Sequence, residues 1–213
     1  MPRPKDLAPV QDRSRDTLER VLQATEELLQ KELFEDLSMV SIADRAGVAV
    51  GTIYTRFKAK DDLLPALFER HDAAVGPRLG PFFAGLAKKR ALRARIEAIV
   101  SFSVDYHEEH RGLLRALTMY VRAHPKSIPA KVFSQREAQY SAVAKALVGN
   151  GQGIRRKDPL EAALFGLSLV NSVCREQVLF DDSTPLRNRS KGLALLKRRL
   201  TDMLHRDLSG RVS

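Results

Sequence analysis

The stretch SMVSIADRAGVAVGTIYTRFKAKDDLL, residues 38–64, decides how the chain is read. Ser38 is placed to cap a short helix whose apolar residues are Ile42 and Ala46, and Gly47 ends it. A second short helix is predicted from about Val50 to Phe57, with Ile53 and Phe57 facing inward. Another begins near Lys60, with Asp61 and Asp62 in a first turn that favours acids. Upstream, Leu18, Val21, Leu22, Thr25, Leu28 and Leu29 repeat at helical spacing, so a long helix from about Ser14 precedes the short pair. Two short helices joined by a glycine-containing turn, packed on a longer first helix, are the architecture of a helix-turn-helix DNA reader, here about residues 38–57.

The chemistry of that stretch supports the geometry. The major groove admits one helix, base edges are reached from its leading turns, and flanking hydroxyls, amides and cations hold phosphates. Gly51 and Thr52 permit close approach, Tyr54 can offer its hydroxyl to a phosphate, and Thr55 and Arg56 point outward from a helix anchored by Ile53 and Phe57. Lys60 adds a cation at the next helix start. Ser38, Arg45 and Val50 complete the candidate DNA-facing set, and Arg13 and Arg15 are placed for backbone or minor-groove contacts. Arg56 can serve either a base or a phosphate. Singly, Tyr54 and Phe57 would read as packing aromatics and Lys58 and Lys60 as a solvated pair; the whole constellation argues otherwise.

The same residues resemble the TetR family of bacterial repressors. Ile42-Ala43, Ala46-Gly47-Val48, Gly51-Thr52-Ile53-Tyr54, Phe57, Lys60 and Leu63-Leu64 fall in register with its signature. The resemblance is specific over about residues 14–72; beyond them only the helical layout and the GQG-to-DP turn are similar. It implies DNA-binding roles for Thr52, Tyr54 and Lys60, a ligand-binding region in the middle helices, and a four-helix dimer bundle built from the last two helices. Two positions depart from the pattern. Ala49 replaces the usual capping residue, at a typical loss of about 1 kcal/mol, and Pro65 is expected to kink or delay the fourth helix.

Composition bounds the alternatives. The 213 residues carry 36 Lys and Arg against 26 Asp and Glu, a net charge of +10, with 44% hydrophobic residues, enough for a sizeable core. Residues 1–70 hold 11 basic and 13 acidic residues, which leaves 25 against 13, or +12, for residues 71–213. The excess is therefore remote from the reader, although Arg56, Lys58 and Lys60 keep its tip locally basic. A single cysteine, Cys174, excludes zinc fingers and cystine scaffolds. No run approaches the roughly 20 apolar residues of a membrane span, and the first ten residues lack a signal-peptide core, so a cytoplasmic protein is expected, with no membrane partner.

The rest reads as helix. Residues 1–13 are expected to be a flexible arm, 14–74 the DNA-binding domain, and 75–213 a larger ligand-binding and dimerisation domain, with GPRLGP at 76–81 as a joint. Leu92, Ile96, Ile99, Ser103 and Tyr106 make one helical face, and Phe133, Tyr140, Val143, Ala144 and Leu147 another. GNGQG at 149–153 is a turn, and Asp158-Pro159 with Glu161 marks a capped helix start. The helix that follows is apolar on two sides and is expected, with residues 190–208, to form the dimer interface through Ala162, Phe165, Gly166, Leu169, Val173, Leu196, Leu200 and Met203. Candidate pocket residues are Phe102, Tyr106, Met119, Tyr120, Phe133, Tyr140, Phe165 and Asn171. No window alternates as a strand does, so the fold class is all-α.

Other signals carry no site. His107-Glu108-Glu109-His110 spaces its histidines three apart, unlike the HExxH zinc pattern, and reads as a solvated helix end. GNGQG lacks a preceding strand and a following GK[ST], and Cys174 reads as a small buried hydrophobe. No nucleophile, base and orienter come together, so neither an enzyme nor a metal or cofactor is expected. The sequence favours a homodimeric, sequence-specific transcriptional regulator, most simply a repressor released from a near-palindromic double-stranded operator by a small-molecule effector. The alternatives are a sequence-tolerant architectural DNA-binding protein and an orphan helical ligand-binding protein.

Overall fold

The long segments with helical apolar spacing all become helices, and the prolines of GPRLGP lie inside one. The computed structural model of the chain describes residues 7–127, 130–149, 151–180 and 189–210, and among them there is no strand. The order is α1 Leu7–Leu29, α2 Met39–Ala46, α3 Val50–Tyr54, α4 Leu63–Ala87, α5 Leu92–Glu109, α6 Arg111–Ala123, α7 Ala130–Val148, α8 Pro159–Leu179 and α9 Arg189–Ser209. Three-residue 3-10 turns precede α2, α4 and α7.

Four expectations change. Helix α1 starts at Leu7, not Ser14, so part of the supposed arm is its first two turns. GPRLGP is no joint: α4 runs through Pro77 and Pro81, and its final apolar residue, Leu86, is buried. Pro65 neither kinks nor delays α4, because it sits in the first turn, where backbone N–H groups have no helical partner to lose. Asp158 precedes α8, with Pro159 in the first turn, but its side chain makes no capping bond.

Two cores result. The first joins α1, α2 and α3 to the start of α4 through Val21, Leu22, Ile42, Ile53, Leu63 and Leu67, and it draws in Leu113, Ala116 and Leu117 from α6. Helix α6 lies outside residues 14–74 yet completes this core, so the reader and the body share a packed boundary. The second core gathers Leu86, Ile96, Val100, Leu147, Val170, Leu204 and Leu208 from α4, α5, α7, α8 and α9. At the shared boundary Gly112 of α6 presses on the end of α1: a Cβ there would lie 1.7 Å from the Leu29 carbonyl oxygen. Backbone cannot yield as a side chain can. Gly112→Ala is therefore expected to lower the urea unfolding free energy by about 1–3 kcal/mol, and an unchanged midpoint would contradict this packing.

Candidate DNA interface and ligand cavity

Helix α2 is fixed at both ends. Ser38 accepts a bond from the Ser41 amide at 3.0 Å, and Ser41 Oγ accepts from the Ser38 amide at 3.1 Å, a reciprocal cap. At the other end Gly47 turns with φ +64°, and Arg20 of α1 donates to the carbonyls of Ala46 and Gly47 at 2.6 and 2.7 Å. The cation thus neutralises the negative end of α2. Helix α3 follows at once; it has no side-chain cap at Ala49 and ends at Tyr54, three residues short of the predicted limit. Its inward residue Ile53 is 2% exposed and Phe57, just beyond, is 8% exposed. The opposite face, with Val50, Gly51, Thr52 and Tyr54, is exposed.

The other residues assigned to DNA already have work within the fold. Lys60 donates from Nζ to the carbonyls of Phe34, Glu35 and Leu37 at 2.7, 2.8 and 2.8 Å and lies 5.0 Å from the Phe34 ring centroid. An ammonium has three donors, and all three are consumed. These bonds form a clamp that ties the α1–α2 connection to the start of α4. Arg45 pairs with Glu27 of α1, Arg56 donates to the Ser14 carbonyl at 3.2 Å, and the Thr55 hydroxyl donates to the Thr52 carbonyl at 2.7 Å. Ser38 commits its hydroxyl to the cap. By contrast, Tyr54 is 51% exposed, and neither it nor exposed Lys58 has a hydrogen-bond or ionic partner among the described residues. Lys58 is the cation that family register passed over in favour of Lys60. Arg15 is exposed, whereas the side chain of Arg13 lies outside the described residues.

A cavity of about 160 Å³ opens where α4, α5, α7 and α8 meet. Four expected residues line it: Phe102 and Tyr106 from α5, Tyr140 from α7 and Asn171 from α8. Met119 is instead exposed on α6, Tyr120 packs on the first core and stacks on His124, and Phe165 is 64% exposed. The side chain of Phe133 lies outside the described residues. Sequence reasoning missed the wall from α4, chiefly Arg78 and Phe82, because it placed a break there. It also missed His107, whose helix end is not solvated but turned toward the cavity. Beside the cavity Tyr106 and His71 share a hydrogen bond of 2.8 Å, and Arg78 bonds Glu109 at 2.7 Å and His110 at 2.6 Å. Burial and the positive Arg78 hold the His110 imidazole below the ordinary histidine range despite Glu109.

Of the residues assigned to a dimer, Gly166 and Leu200 are buried within the subunit. A Cβ on Gly166 would meet Leu204 at 3.1 Å, so its smallness serves α8–α9 packing. Ala162, Val173 and Leu196 are half-buried against the second core, while Phe165, Leu169 and Met203 remain exposed.

The outward α3 and its capped partner α2 define a helix-turn-helix protein. Residues 21–67 match the family model described as bacterial regulatory proteins, tetR family, so the chain carries a TetR-family N-terminal DNA-binding domain. An uncharacterized HTH-type transcriptional regulator of Haemophilus influenzae is 44% identical over 55 residues, 26% of this chain; the match spans 29% of that relative's length. The whole fold is similar to that of the transcriptional regulator FadR of Bacillus subtilis in complex with stearoyl-CoA, with TM-score 0.60 at 18% identity over 91% of this chain and 99% of that one. It is similar also to a Saccharomonospora viridis protein in complex with choline, with TM-score 0.64 at 18% identity, covering 90% and 96%. A TetR transcription regulator of Haloarcula marismortui gives TM-score 0.57 at 20% identity, covering 91% and 98%.

The Lys60 clamp makes a prediction of its own. Lys60→Met leaves three carbonyls without their donor, and urea denaturation is expected to register a loss of about 1–3 kcal/mol. A wild-type midpoint combined with weaker DNA binding would return Lys60 to a phosphate-contacting role.

Proposed function

We propose that the protein is a homodimeric, sequence-specific transcriptional regulator that places α3 of each subunit in the major groove and is released when a small molecule fills the cavity. The observation that carries this reading is the outer face of α3. Gly51 has nothing within 4 Å of the position its Cβ would occupy, so packing within the subunit does not demand a glycine there. Close approach of a duplex supplies a reason. In this reading Thr52 and Val50 meet base edges, the latter by apolar contact with a thymine methyl. Tyr54 and Lys58 hold phosphates, and the already bonded Ser38, Arg45, Thr55, Arg56 and Lys60 support the reader from behind or from its margin.

One short helix offers few base contacts, so a two-fold dimer on a near-palindrome is the physical requirement, its recognition helices about 34–36 Å apart. Phe165, Leu169 and Met203 are 64%, 37% and 40% exposed on α8 and α9, and Leu195 adds 39%. Four large apolar side chains on two adjacent helices call for a cover. Exposed Glu161 and Glu176 on α8 complement exposed Arg198, Arg199 and Arg206 on α9, as an isologous four-helix contact needs.

Two outcomes test the reading. Gly51→Ala is expected to stabilise the fold by about 0.5–1 kcal/mol, through helix propensity, yet weaken affinity for a selected DNA site about tenfold or more in gel shifts; unchanged affinity would remove α3 from the groove. Phe165→Glu with Leu169→Glu is expected to give a monomer by light scattering at micromolar concentration, and a wild-type mass would place the interface elsewhere.

A further inference from the structure

The cavity is specific about what it accepts. At about 160 Å³ it matches a single ring, since a cavity of about 150 Å³ holds benzene. Its apolar half is aromatic: Phe82 and Phe102 lie 4.4 Å apart between ring centroids, and Phe102 stacks on Tyr106 at 6.1 Å. Among the described residues no acid lines it, so a ligand cation finds no carboxylate partner there. Arg78, the one permanent charge among the described residues of the lining, is paired with Glu109, so a ligand anion gains little there either.

The polar half is more exacting. His107 Nδ1 lies 2.8 Å from the Ser103 carbonyl oxygen, which only accepts, so Nδ1 carries the proton. Burial, with help from the positive Arg175, holds this imidazole below the ordinary histidine range, so at neutral pH Nε2 is a bare acceptor. Asn171 Nδ2 donates to the Leu167 carbonyl at 3.0 Å, which leaves Oδ1 as its acceptor. His107 thus has its single donor occupied and Nε2 left as an acceptor, while Asn171 on the facing helix has one of its two N–H groups occupied and keeps Oδ1 as a second acceptor.

We propose that the cavity binds an uncharged, single-ring aromatic bearing a hydrogen-bond donor, a phenol or an aniline, with the ring against Phe82 and Phe102 and the donor toward His107 and Asn171. This rests on reading the cavity as the effector site. A carboxylate in the same place sets its oxygens against the bare Nε2 of His107, and an ether brings that acceptor no donor.

Isothermal titration of the full chain at neutral pH with 4-methylphenol, 4-methylanisole and 4-methylbenzoate tests the assignment. The phenol is expected to bind at least about tenfold tighter than either analogue. His107→Leu and Asn171→Leu are each expected to weaken the phenol about tenfold and to narrow its lead over the anisole, while Met119→Ala, outside the cavity, leaves it unchanged. If His107→Leu loses its helical circular dichroism, Asn171→Leu decides. Equal or tighter binding of the anisole or the benzoate, or no binding of any of the three, overturns the proposal. Because binding is read without DNA, that failure leaves recognition through α3 standing, whereas phenol selectivity in a protein that selects no DNA site would sink the regulator reading alone.

Discussion

A helix of five residues has no stability of its own in water, because nucleation costs more than so few hydrogen bonds return. Helix α3 exists because Ile53 and Phe57 are buried in the first core and because the surrounding segments are fixed independently. Arg20 closes the end of α2, Gly47 turns the chain, and Lys60 gathers the three carbonyls of the α1–α2 connection. With one face of so short a helix holding the whole element in place, the other face contributes almost nothing to folding. Its residues are free to be chosen by a partner, and the partner best matched to a glycine, a threonine, a tyrosine hydroxyl and a nearby lysine is a duplex.

The same economy shapes the link to the body. Helix α4 buries Leu63, Leu64, Leu67 and Phe68 in the first core, passes the cavity with Arg78 and Phe82, and buries Leu86 in the second. Arg70 binds it to α1 through Glu19 and Glu26 at 2.8 and 2.5 Å. Pro77 and Pro81 each lack the N–H of a helical bond, and they flank the cavity-lining residues Arg78 and Leu79. A molecule in the cavity therefore touches the rod that carries the reader, at its least hydrogen-bonded turns. In the proposed regulator this is where an effector acts, by binding better to the arrangement whose paired α3 helices no longer match successive grooves.

Much of this was legible in the residues. The reader was readable because each of its parts is a local rule: Ser38 caps, Gly47 breaks, and Ile53 and Phe57 anchor. What was missed is what local rules omit. GPRLGP punctuates a chain in isolation, yet packing at both ends carries α4 through it. Lys60 looked available because the carbonyls it serves lie more than twenty residues upstream, and Gly166 looked like a partner contact because nothing in the sequence brings Leu204 beside it. His107 resembled a solvated helix end, yet it lines the cavity with Leu167 and Asn171 of α8. Helix α6 had no assigned face, although its apolar residues complete the first core.

In the proposed regulator DNA meets α3 and not the strongly basic body. Lys89 marks the opposite possibility: Arg95 bonds the carbonyls of Lys89, Arg90 and Gln152, bringing basic loops together at the far side of the second core. Cys174 is buried and its thiol is pushed up to about 12, so a single introduced cysteine can be labelled selectively. The direct measurement is photo-crosslinking to selected duplex DNA at physiological salt from a benzophenone attached to Thr52→Cys or to Lys89→Cys. The account predicts crosslinks at discrete, symmetry-related positions from residue 52 and none from residue 89. Crosslinks from residue 89 alone, spread along the duplex, would contradict it.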